Sequence, residues 1–179
     1  MSILEFLGIK MNEQTASPAA RPSDVDSIRR IVGALDRLDP REARRVAAFA
    51  FVLSRAANAD MSITQDEIRE MERLVMSWAG LSEEVAVLVV EIARHQNILF
   101  GGTENFLVTR ELKESATHEE KVKLLHCLFA VSAADDSISA SEEGIIAQIA
   151  SELGIDRAEM VAIRASYRDK RAVMKNLPE

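Results

Sequence analysis

The chain has 179 residues, 47% of them apolar and only 4% aromatic, with a formal net charge of −7. That length suits one domain, or one domain with a tail, and the apolar content is far above what disordered chains carry. The acidic balance argues against non-specific nucleic-acid binding, which needs a basic field. Few Gly and Pro, and much Ala, Leu, Glu and Arg, favour helices.

The first residues, Ser2–Gly8, carry a short apolar patch without the basic run of a signal peptide. Residues 11–23 hold two prolines among small polar residues and read as a linker. The expected layout is therefore an N-terminal segment and linker over 1–23 and a helical domain over 24–176. Ser23-x-x-Asp26 resembles a helix start, and Ile28, Ile31, Val32, Leu35 and Leu38 recur at helical spacing. Asp39-Pro40 ends that helix and starts a second, running to about Ala59, because Asp caps and Pro suits the first helical position.

Thr64-x-x-Glu67 is a capping box opening a third helix, and Gly80 suits its C-terminal cap. Ser82 opens a fourth helix through about His95. Gly101-Gly102 interrupts the chain, and a weaker fifth helix covers Glu104–Ser115. Thr117-x-x-Glu120 opens a sixth, ending near Ala134. Ser139-x-x-Glu142 opens a seventh, ending at Gly154. Asp156-x-x-Glu159 opens the last, to about Lys175. No segment shows the period-two alternation of a strand. The expected fold is all-α, a compact bundle of about seven to eight helices.

Within it lies a repeat. Shifted by 75 residues, ADMSITQDE (59–67) overlays ADDSISASE (134–142). Asp60 meets Asp135, Ser62 meets Ser137, Ile63 meets Ile138 and Glu67 meets Glu142. Met71 and Leu74 fall opposite Ile146 and Ile149, and with one gap Gly80 meets Gly154. An internal duplication with pseudo-twofold symmetry follows. In each copy an Asp sits where one helix ends and a Glu where the next begins, so a short turn brings two carboxylates towards each other. Asp66, Asp136 and Glu143 lie close by. Clustered carboxylates suit hard cations such as Ca²⁺ or Mg²⁺. The same residues equally serve as caps, since Glu is expected at the third position of a capping box and Asp at turns. The turn is not an EF-hand: counting from Asp135, Ala140 stands where Gly is needed and Ile146 where Glu is needed.

These turns, and above all LLHCLFAVSAADDSISASEEGIIAQIASELGI (124–155), resemble the signature of the TerB-like family, named after the tellurite resistance protein TerB. The resemblance spans roughly residues 25–175. Related domains occur in a membrane-anchored DnaJ-type co-chaperone. The resemblance implies a duplicated helical bundle, metal chelation by the acidic turns and a link to tellurite or metal stress. Carried over by position, the ligands are Asp60, Glu67, Asp135 and Glu142, with Asp136 and Glu143 as additions. The family's turns usually have Gly after the Asp, where this chain has Met61 and Asp136.

Other chemistry finds little support. His95, His118 and His126 form no paired metal motif, and Cys127 has no partner cysteine, which disfavours zinc. No nucleotide or nucleophile motif is present. Cys127 reads as core and His126 as a boundary residue. Arg29, Arg30, Arg37, Arg41, Arg44 and Arg45 form a basic stretch, either a solvated face with i,i+4 partners or a docking surface for an acidic partner or lipid headgroups. The chain is thus expected to be a non-enzymatic, cytoplasmic module, at most peripheral to the inner face of the membrane. It would bind a divalent cation or serve as a helical scaffold or co-chaperone-type module for a protein partner, without nucleic acid.

Overall fold

The computed structural model describes residues 22–57, 65–95, 105–133 and 138–170. Eight α-helices account for nearly all of these residues: α1 Pro22–Leu35, α2 Pro40–Ala57, α3 Gln65–Ala79, α4 Glu83–Arg94, α5 Asn105–Ser115, α6 His118–Ser132, α7 Ala140–Leu153 and α8 Arg157–Ala165. A 3₁₀ turn, Arg168–Lys170, follows. No strand occurs among the described residues; Ile138 alone sits in an isolated backbone bridge, with its side chain buried. The expected all-α bundle is the observed one.

Two helices form its centre. In α2, Val46, Ala47, Ala48, Ala50, Phe51, Val52, Leu53 and Ala56 are all buried. In α6, Leu124, Leu125, Cys127, Leu128, Phe129 and Val131 are buried too. A helix apolar on every side has to be surrounded, and these two are. α2 packs against α4, α5, α6 and α7, and α6 packs against α2, α3, α7 and α8. The outer helices have one buried stripe each, such as Ile68, Met71, Leu74 and Val75 on α3.

The duplication is visible in the packing. α2, α3 and α4 correspond to α6, α7 and α8. The paired positions Met71 and Ile146, Leu74 and Ile149, Ala86 and Met160, and Val89 and Ile163 are buried alike. α3 of the first half lies on α6 of the second, and α7 of the second lies on α2 of the first. The glycines that close α3 and α7 share a left-handed backbone, with φ of 67° at Gly80 and 78° at Gly154. After α7 the amide of Ile155 returns to the carbonyl of Ala150 at 3.0 Å, the bond that follows such a cap.

Local chemistry explains four of the eight helix starts. Asp39 Oδ1 accepts the Arg41 amide at 2.9 Å. Thr117 with Glu120 and Ser139 with Glu142 form complete capping boxes, and Asp156 accepts the Glu159 amide. Three expectations need correction. α1 already includes Pro22 and Ser23, so Ser23 lies inside the helix instead of capping it; proline fits the first turn. The same helix closes at Leu35, not Leu38, because the amides of Arg37 and Leu38 tighten onto carbonyls three residues back. Ser82 occupies the N-cap position of α4 with extended backbone, but its hydroxyl makes no capping bond.

The last helix is also shorter than its sequence suggests. α8 ends at Ala165, not near Lys175. Tyr167 turns back onto α6, where its ring stacks on Phe129 with centroids 5.2 Å apart. Its hydroxyl donates to the His126 carbonyl at 2.9 Å. The ring packs against the core from the turn that follows α8. Of the expected N-terminal segment and linker, 1–23, residues 1–21 lie outside the described residues, as do the final residues 171–179.

Candidate functional site

The acidic turns sit at equivalent places, between α2 and α3 and between α6 and α7. Asp60, Asp135 and Asp136 lie outside the described residues. Glu67 falls in the first turn of α3, with its side chain outside the description. The second turn is defined on its α7 side. Ser139 has extended backbone, its hydroxyl accepts the Glu142 amide at 3.2 Å, and Glu142 Oε2 accepts the Ser139 amide at 2.7 Å. Glu142 therefore caps α7, as the sequence allowed, and the bond engages Oε2 of its two carboxylate oxygens. Glu143 follows it in the first turn, and both are half-buried.

The chemistry of this edge is that of oxygen donors. A helix N-terminus carries positive partial charge, so a cation near α7 depends on carboxylates to outweigh it. Among the described residues, the histidines and the cysteine are engaged or buried elsewhere. His95 Nδ1 lies 2.9 Å from its own helix's Glu91 carbonyl, and His118 Nε2 lies 2.8 Å from Glu159 on α8. His126 is half-buried, with Nδ1 3.3 Å from the Tyr167 hydroxyl, and burial lowers its pKa. Burial pushes the Cys127 thiol up to about 12, which keeps it protonated and inert. Among the described residues, no three His, Cys, Asp or Glu side chains come together in a way that could hold a metal ion.

Two features were not foreseen in the sequence. The first is a polar cluster joining the halves. Arg55, near the end of α2, makes a double hydrogen bond to Glu152 on α7, at 2.7 and 3.2 Å. Only 9% of the Arg55 side chain and 17% of the Glu152 side chain are exposed. Gln148 Nε2 donates to Glu152 at 2.9 Å, and the buried Thr109 of α5 bonds the same carboxylate. Burial alone would raise the Glu152 pKa. The donors Arg55, Thr109 and Gln148, with the Arg55 charge, outweigh it and hold the carboxyl below its usual range. An arginine inside the apolar run of α2 was the available signal.

The second is an apolar pocket between the first half of α2, the end of α5, the start of α6 and Leu81. Val46, Phe49, Leu81, Leu112 and Leu124 line it, and Glu42, Arg45, Glu120 and Lys121 form its rim. A charged cleft with Arg41, Arg44 and Glu111 adjoins it, sharing Glu42 and Arg45. The basic stretch of α2 is largely answered here. Arg44 pairs with Glu111 of α5 at 3.5 Å and Arg45 with Glu120 of α6 at 3.1 Å. The expected partners four residues away are replaced by partners on neighbouring helices. Glu120 is pushed up by burial but pulled down further by Thr117, which donates through its amide and hydroxyl, and by the charges of Arg45 and Lys123.

The model of the family described as "Tellurite resistance protein TerB" matches residues 46–165. The chain belongs to the TerB family. The TerB match opens inside α2, closes where α8 ends, and contains both acidic turns and the Arg55–Glu152 cluster. No curated protein and no solved structure matches the chain. No helix among the described residues is long and apolar enough to cross a membrane.

Proposed function

We propose that this TerB-family chain is a non-enzymatic module whose duplicated acidic turns take up a divalent cation, Ca²⁺ or Mg²⁺ in preference to Zn²⁺. The observation that carries the reading is the repeat itself. Two helix pairs, α2–α3 and α6–α7, each enclose the same Asp-to-Glu spacing, in a family whose description is tellurite resistance. Asp60 and Glu67 would serve one turn, and Asp135 and Glu142, with Asp136 and Glu143, the other. Oxygen-only donors fit a hard cation. The fitting biological setting is a cytoplasmic response to metal or tellurite stress, in solution or at the inner face of the membrane.

Calorimetric titration of chelator-stripped protein with Ca²⁺, Mg²⁺, Mn²⁺ and Zn²⁺ tests this, with Asp135→Asn/Glu142→Gln alongside. Glutamine keeps the capping bond to Ser139 while removing the charge. Saturable binding by the wild type that disappears in the folded double variant is the expected result. Silence of the wild type at about millimolar cation sinks the proposal.

A second reading, a metal-free helical interaction scaffold or co-chaperone-type module, draws support from the apolar pocket beside α2 and α6. Such pockets accept the anchors of amphipathic partner segments.

A further inference from the structure

The pocket lined by Val46, Phe49, Leu81, Leu112 and Leu124 is a set of large side chains left facing one another across a gap at the surface. Its rim carries both signs, Arg45 and Lys121 against Glu42 and Glu120, so a strongly charged ligand gains little there. What fits is a short apolar segment with few, mixed charges.

The chain supplies one. Met1–Lys10 reads MSILEFLGIK. Ile3, Phe6 and Leu7 fall at i, i+3 and i+4, the spacing of one helical face, and the charges are one acid, Glu5, and one base, Lys10. The pocket lies beside the junction of α1 and α2, since Asp39 borders its charged flank. The 14 residues of α1 carry the chain about 20 Å from that junction to Pro22. Thirteen residues, 9–21, separate Gly8 from Pro22. They span about 43 Å when extended and about 20 Å as a coil, so the return to the pocket needs no stretching.

We propose that Met1–Gly8 docks into this pocket in cis, with Phe6 and Leu7 against Phe49 and Leu124. The inference goes beyond the cation reading and is independent of it. It also bears on the scaffold reading, because a partner segment would have to displace Met1–Gly8.

Disulfide trapping in the full chain tests it. Ser2→Cys is combined with Ala116→Cys at the pocket, and as a control with Ala162→Cys on α8, which lines no part of it. Native Cys127 is buried and stays out of the reaction. The expected result is a disulfide within one chain, forming at least about ten times faster than in the control pair, since docking raises the local concentration. Phe6→Glu/Leu7→Glu should bring the rate down to the control's. Should Ala116→Cys disturb folding, Lys121→Cys on the rim takes its place. Equal rates for the pocket and control pairs overturn the proposal, and so does a disulfide that joins two chains.

Discussion

Arg55 and Glu152 allow a quantitative test of how the two halves are joined. The pair is bidentate and more than four-fifths buried on both sides. Breaking such a pair from one side leaves a charge in a poor environment and costs about 3–5 kcal/mol. The two truncations should not be equal. In Arg55→Ala, Glu152 keeps the Gln148 and Thr109 donors, which places the cost at the low end, about 3 kcal/mol. In Glu152→Ala the guanidinium loses both bonds at once, and about 4 kcal/mol is expected. Urea unfolding followed by far-UV circular dichroism measures both. With a slope of about 2 kcal/mol per molar, the midpoints fall by about 1–2 M. Arg55→Met/Glu152→Leu removes both charges together and should recover to within about 1.5 kcal/mol of the wild type. The acid side gives a further check. The Glu152 carboxyl is held below its ordinary 4.5, so its contribution is present above that value and is lost as pH falls through the lowered one. Arg55→Ala should flatten this part of the pH profile. If both single variants stay within about 0.5 kcal/mol of the wild type, the pair behaves like an exposed one and the reasoning fails.

Glycines should divide by backbone, not by space. Gly154→Ala forces a side chain onto φ of 78° and towards Lys113, and should lose about 1–2 kcal/mol in the same assay. Gly33→Ala and Gly144→Ala lie within helices with nothing within 4 Å of the added carbon and should gain about 0.5–1 kcal/mol; a loss at either would contradict the packing described. Cys127 should react with a chromogenic disulfide reagent only as fast as the protein unfolds, and prompt labelling of the native chain would show that α6 is less enclosed than described.

The helices were legible because their signals are local. Asp39, Thr117, Ser139 and Asp156 each act on an amide two or three residues away, and apolar spacing marked the buried faces. The errors arose where distant contacts decide. Nothing near Tyr167 announces that it will stack on Phe129, 38 residues earlier, so α8 looked longer than it is. The partners of Arg44 and Arg45 are 67 and 75 residues away, so neither reading of that stretch, partners four residues along the helix or a docking surface, could name them. Of the candidate ligands, the capping role of Glu142 was readable from its spacing to Ser139, whereas the pocket draws on four separate stretches of chain and leaves no pattern in any of them.

The exchange of helices across the pseudo-twofold has a consequence for how the molecule comes apart. Each half leans its third helix on the other half's centre, so neither closes its own interior. The arrangement resembles a symmetric dimer carried on a single polypeptide, with covalent linkage standing where concentration would otherwise act. Losing one half strips a wall from the other, so the two halves are expected to unfold together.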